Sequence, residues 1–258
     1  MSGDIDVSQA GHVAIIEIRR PPLNYFDLKL IRSIADALDR IDSDIEVRCV
    51  VLAAQGKAFC AGADFRAVDV ESEERRSSRQ AGHLYIEAIR IFRNKKPIVA
   101  AVHGAAIGGG LGLAMSADFR VTCAEARFSA NFTKLGFHPG FGLTVTLPEV
   151  IGRTKAAMMF YTSRRLNGQE AYEIGLADML VPQGQVRESA INFAHEIAEC
   201  SPLGLLATRA TMREGLAQRV QKATDHELAE QNRLRQTEDF DEGVRATAER
   251  RVPVFRGR

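Results

Sequence analysis

A surplus of charge of either sign is the first thing missing from this chain. Its 34 Lys and Arg face 33 Asp and Glu, a net +1. Without a one-signed field there is no electrostatic footprint for nucleic acid or for an acidic membrane surface. Long apolar runs are missing too, and none approaches the roughly 20 residues of a membrane helix. Paired cysteines are missing: Cys49, Cys60, Cys123 and Cys200 are scattered, with no CxxC among them. That pattern argues for reduced thiols over a disulfide framework or a zinc site, and no metal is expected. The N-terminal MSGDIDVSQAGHV lacks the basic and then apolar order of a signal peptide, so a cytoplasmic protein is expected. Internal repeats and low-complexity segments are absent.

What is present is ordinary for a globular protein: 258 residues, 45% hydrophobic and 26% charged. That length buries the core of one large domain, or of a domain with an appendage. HVAIIEIRR (12–20), VRCVVLAA (47–54) and PIVAAVHG (97–104) read as strands, the last two as apolar as buried parallel strands are. DFRVTCAEARF (118–128) reads as one more. DLKLIRSIADALDRID (27–42) has helical spacing, with Leu30, Ile31, Ile34, Ala37 and Leu38 on one face. Residues 71–96 open as a charged stretch and become a helix, and 108–118 reads as a helix packed closely enough to need glycine. Strands alternating with helices imply an α/β fold with a parallel sheet. From about residue 143 helices dominate, with one short apolar piece at 177–183. A boundary is placed near residue 200, giving a core of 1–200 and a helical region of 201–258.

The stretch GAAIGGGLGL (104–113) carries the chemistry question. It is no dinucleotide fingerprint, because the third glycine of GxGxxG is replaced by Leu113, and no GK[ST] follows to make a P-loop. Glycine at a strand-to-helix junction has two other uses. It lets backbone approach closely, and it leaves N–H groups free at the positive end of a helix. The loop KAFCAGADF (57–65) has the same character after another buried strand. Two such loops could converge two amides on a developing negative charge, or could merely pack tightly and cap a helix.

FCAGADF with AVHGAAIGGGLGLAMSADFRV resembles the enoyl-CoA hydratase/isomerase, or crotonase, superfamily. The resemblance continues through FSANFTKLGFHPGFG, LPEVIGRTKA and NGQEAYEIGLADMLVP, in the family's order. It implies a crotonase-like spiral of ββα turns, and a C-terminal helical region that assembles trimers or hexamers. It implies a coenzyme A thioester as substrate, with no permanently bound cofactor. The thioester oxygen would be held by the amides of Ala63 and Gly109, with Gly108 beside them. The rest of the coenzyme would lie near Lys57, Ala61, Asp64 and Phe65. Losing one such amide donor typically costs about 100- to 1,000-fold in rate.

The family's hydratases place two glutamates on the reacting carbons, and some isomerases a further carboxylate. The matching positions here are Gly112, Phe132 and Gly140, none of them ionisable. A positioned acid or base supplies about 100- to 10,000-fold, so simple hydration is not expected. His138 is the candidate replacement base, since a histidine titrates near neutrality; an ordinary loop histidine is the plain alternative. Tyr85 and Glu87 lie on a helix that can line the acyl pocket, and periodicity does not say which faces inward. His83 is a weaker candidate, His103 reads as a packing residue and Cys60 as a buried thiol. Phe132, Phe137 and Phe141 form a candidate apolar acyl pocket. Arg20, Arg66, Arg256 and Arg258 are candidates for the coenzyme's phosphates. The expected function is an acyl-CoA-processing lyase or isomerase working through an enolate. Its rivals are a hydratase or Δ3,Δ2-isomerase with a non-standard acid/base group, and a non-catalytic acyl-CoA-binding protein.

Overall fold

The most apolar runs build the centre. β2 (Val13–Ile18) is buried along its whole length, as are β5 (Ile98–Val102) and all but the last residue of β3 (Cys49–Ala54). A strand can be continuously apolar only where both faces of its sheet are covered. The structure is a computed structural model describing residues 3–64 and 74–258, with backbone alone for 74–83. These strands join β1 (Ile5–Ala10), β7 (Phe119–Thr122) and β10 (Met179–Leu180) in a sheet of order β1-β2-β3-β5-β7-β10. Only the β1–β2 pairing is antiparallel.

A second sheet runs β4 (Ala58–Cys60), β6 (Ala105–Ile107), β8 (Arg127–Ser129) and β9 (Leu166–Asn167). Its first three strands are parallel. The chain lays one strand in the large sheet, a short one in the small sheet, and then a helix. β3 and β4 lead to α2 (Glu74–Arg93), and β5 and β6 to α3 (Gly109–Ser116). This is the expected ββα spiral. The segment 118–128, read as one strand, is two: β7 and β8 are separated by a turn in which Ala126 N–H donates to Cys123 O at 3.1 Å.

α1 (Leu28–Ser43) follows its pattern. Asp27 caps it by accepting from Leu30 N at 2.9 Å, and Leu30, Ile31, Ile34, Ala37 and Leu38 are all buried. In the C-terminal half, α4 (Leu143–Ile151) and α9 (Leu216–Leu234) concern the site most. α9 packs against α2 and α4, and its inward stripe is Val220, Thr224, Glu227 and Gln231. α8 (Pro202–Met212) precedes α9, and α10 (Glu238–Ala248) packs on the 3₁₀ turn Thr133–Leu135. Among the described residues, no helix is long and apolar enough to cross a membrane.

Candidate functional site

Three loops meet at one end of the two sheets. Backbone hydrogen bonds tie 22–26 to 57–62: Lys57 N–H to Pro22 O at 2.9 Å, Ala61 N–H to Leu23 O at 3.0 Å, and Phe26 N–H to Gly62 O at 3.0 Å. Asn24, wholly buried, holds its own backbone at φ 52° and donates to Gln55 O and Ala58 O at 2.6 and 2.7 Å. An open groove of about 460 Å³ lies on this segment, lined by Arg20, Pro21, Pro22, Leu23 and Tyr25. Arg20 is neutralised by Asp4 at 2.7 Å and Asp27 at 2.9 Å. The Asp4 bond, opposed by partial burial, is the main reason its pKa is raised.

The third loop is the glycine run. A Cβ added at Gly62 would lie 2.8 Å from Ile107 O and 3.8 Å from Gly109 N. The peptide leading into Ala63 therefore abuts the amide of Gly109. At Gly110 an added Cβ would enter the carbonyl of Cys60. Gly108 is buried, with φ 56°, and its N–H donates to Ser129 O at 2.8 Å. Gly109 is the first residue of α3, where an N–H has no partner inside the helix. Among the described residues no acceptor is found for the amide of Gly109 or of Ala63. Ala63 is exposed and Gly109 half-buried.

The opposite wall is filled. A Cβ at Gly112 would lie 2.6 Å from Phe141 Cβ and 2.8 Å from its Cγ. Phe141 is buried and left-handed, at φ 62°, and its ring packs against Phe26 and Phe92. A Cβ at Gly140 would overlap the Tyr85 hydroxyl and lie 2.5 Å from Gln231 Nε2. Tyr85 donates to Gln231 Oε1 at 3.0 Å, and Gln231 donates to His138 O at 2.9 Å. Burial, and then the nearby Glu227 carboxylate, push the Tyr85 phenol well above its usual range. Phe132 is buried, and its Cζ would stand 3.7 Å from a Cβ at Gly108.

Among the described residues, the space beside Gly112 and Gly140 is held by Phe141, Tyr85 and Gln231 and not by a carboxylate. The sequence profile of the enoyl-CoA hydratase/isomerase family matches residues 8–258. A probable enoyl-CoA hydratase of Bacillus subtilis is 32% identical over 248 residues, covering 95% of each chain. Enoyl-CoA hydratase EchA19 of Mycobacterium tuberculosis is 32% identical over 258 residues, covering 99% of this chain and 97% of its own. The crystal structure of an enoyl-CoA hydratase/isomerase from Pseudoalteromonas atlantica superposes with a TM-score of 0.85 at 26% identity, covering 98% of this chain and 100% of that one. The chain belongs to the enoyl-CoA hydratase/isomerase family.

Against the family's pattern, the remaining candidates separate. His138 is half-buried, with Nδ1 2.8 Å from Pro139 O and its ring 5.8 Å from that of His226 on α9. Tyr85 is the inward residue of its helix; Glu87 instead pairs with Arg90 and with Arg32. His103 Nε2 lies 3.0 Å from Gly56 O, a packing role. Cys60 is fully buried, and burial raises its thiol to about 12, which makes it a poor nucleophile. Lys57 is exposed, Ala61 and Asp64 are half-buried. Phe65, Arg66 and the side chain of His83 lie outside the described residues. Arg258 pairs with Glu238 at 3.1 Å, far from neither solvent nor the chain end. Sequence reasoning missed Gln231 and Glu227. Glu227 is wholly buried and accepts from Gly142 N, Thr144 N and Thr144 Oγ1 at 2.9, 3.2 and 2.6 Å, capping α4 from another helix. The signal was there: positions 220, 224, 227 and 231 form one helical stripe, and three of the four are polar.

Proposed function

We propose that the chain is an enzyme acting on an acyl group carried as its coenzyme A thioester, with no permanently bound cofactor, and that it stabilises the thioester's enolate at the amides of Ala63 and Gly109. The observation that carries this reading is the pair of neighbouring amides without acceptors among the described residues. A thioester oxygen gains charge when a proton leaves the α-carbon or a nucleophile adds at the β-carbon, and fixed N–H donors favour that charge. The coenzyme would run along Lys57, Ala61, Asp64, Phe65 and Gly108, beside the groove at 20–25. The family's relatives are named as hydratases, but here Phe141 and Tyr85 fill the space in which acid/base carboxylates would branch from Gly112 and Gly140. The reading is therefore a lyase or isomerase reaction other than simple hydration.

Proton transfer is assigned to His138, the titratable side chain of the 137–142 loop. Tyr85, held protonated by burial, supplies a hydrogen bond rather than a base. Exposed Leu203, Met212, Val252, Val254 and Phe255 on the C-terminal region support its use in a homotrimer or hexamer. The cytoplasm is the proposed compartment. The filled wall also favours a second reading, a protein that binds acyl-CoA without turning it over. Crotonyl-CoA hydration, measured beside an authentic hydratase, and deuterium exchange at the α-carbon of butyryl-CoA separate the readings. The proposal expects exchange without hydration, and His138→Ala to slow exchange by about 100-fold. Robust hydration would overturn the argument from missing carboxylates. Binding with neither reaction would establish the silent protein.

A further inference from the structure

Arg235 ends α9 and lies over the ring of Phe137, with Cζ 5.8 Å from the ring centre. Its Nη1 is fully buried and has no hydrogen-bond partner among the described residues. Arg235 as a whole is half-buried; the two arginines buried more deeply are paired with carboxylates, Arg120 with Asp178 at 3.0 Å and Arg209 with Asp118 at 2.9 Å, although Nη2 of Arg209 also lacks a partner among the described residues. Among the described residues no carboxylate faces Arg235; the ionisable group that acts on it is the phenol of Tyr85. Burial accordingly lowers its pKa. A buried cation without an anion is costly, and proteins pair such groups.

Its location says where the anion comes from. From a Cβ at Gly108 it is 3.7 Å to Phe132 Cζ. The Phe132 and Phe137 rings are 5.5 Å apart, and Phe137 is the ring beneath Arg235. A wall of two phenylalanines thus leads from the open amides to an unpaired guanidinium. The wall suits methylene groups, and its far end suits a planar anion, which a guanidinium binds with two parallel hydrogen bonds.

We infer that Arg235 selects the far end of the acyl chain, and that the preferred substrate is the coenzyme A thioester of a dicarboxylic acid, its free carboxylate held by Arg235. This rests on the thioester reading above. The thioester oxygen sits at Ala63 and Gly109, the chain crosses Phe132 and Phe137, and the terminal carboxylate supplies the missing counter-ion.

The test is calorimetric titration of the full-length protein with matched thioesters that differ only in a terminal carboxylate or methyl: glutaryl- against pentanoyl-CoA, adipyl- against hexanoyl-CoA, suberyl- against octanoyl-CoA. For at least one pair the carboxylate form should bind about tenfold more tightly or better, the scale of a charged hydrogen bond. Arg235→Met should abolish that preference and leave the methyl-ended thioester bound as before; Arg235→Lys should keep part of it. Equal affinities within all three pairs overturn the inference while leaving the thioester reading standing. A preference that survives in Arg235→Met overturns it as well. So does an Arg235→Met variant whose sedimentation changes while its preference does not, because the counter-ion then belongs to a second copy of the chain. If no thioester binds at all, the functional reading fails and this inference with it.

Discussion

Both walls of the crevice are built on glycines, and they differ in what the glycines touch. On the amide wall, Gly62 is pressed by the carbonyl of Ile107 and Gly110 by that of Cys60, while Gly109 between them meets the ring of Phe26. On the opposite wall, Gly112 is pressed by the side chain of Phe141, and Gly140 by those of Tyr85 and Gln231. Backbone in a sheet cannot step aside without moving the sheet. A side chain can be exchanged for a smaller one. At Gly62 and Gly110 the amide wall is therefore bound to the fold itself, whereas the chemistry of the other wall depends on a few replaceable side chains. A family fold can keep its donors and change its acids on these terms.

Removing a donor should have the largest effect. Ala63→Pro deletes one amide hydrogen, and α-carbon deuterium exchange of butyryl-CoA should fall by about 100- to 1,000-fold. Circular dichroism on the same variant shows whether the loop change left the fold intact. Exchange at the wild-type rate in a folded variant would mean that the amide wall has no part in the chemistry.

The second experiment acts on the replaceable wall. Gly112→Glu should not restore hydration, since Phe141 occupies the space; forcing the side chain in should cost about 1–3 kcal/mol of stability. Phe141→Gly removes the Cβ that stands nearest and suits the left-handed backbone at that position, so the two substitutions together should cost less than the sum of each alone, a coupling that urea denaturation of the four proteins measures. Strict additivity would show that the two residues do not compete for space.

The smallest effect concerns the brace behind that wall. Burial raises the pKa of Glu227, against the hydrogen bonds from Thr144 and Gly142 that oppose the shift. A carboxyl that holds its proton more tightly when folded gives most stability below its unfolded value of roughly 4.3, and loses it as pH rises through the folded value. Relative to Glu227→Gln, the wild type should thus gain stability as pH falls from 7 towards 4. A difference independent of pH would mean that Glu227 titrates alike in both states.

How much was legible can be argued residue by residue. α1 was readable because its five apolar positions recur at helical spacing and all five are buried. β3 and β5 were readable because continuous apolar runs mark covered parallel strands. The small sheet was not readable from its residues: β4, β6 and β8 have three residues each and β9 two, too few to show a period. β1 went unread as well, because its residues are half-buried or exposed. At the site, the glycines at 108–110 and the non-ionisable residues at 112, 132 and 140 were visible as letters. Their neighbours were not. Tyr85 and Gln231 meet across 146 positions of sequence, and nothing in either segment names the other.

The sequence by itself determined the longer strands and helices, the family, and the absence of carboxylates at three positions, because local spacing and residue identity are properties of the chain. Only the tertiary structure decided that Phe141 and Tyr85 stand in the vacated space, that Glu227 braces α4, and that a buried nitrogen of Arg235 has no partner among the described residues. Those are facts about which distant side chains share a volume, and volume is shared only once α2, α4 and α9 have packed together.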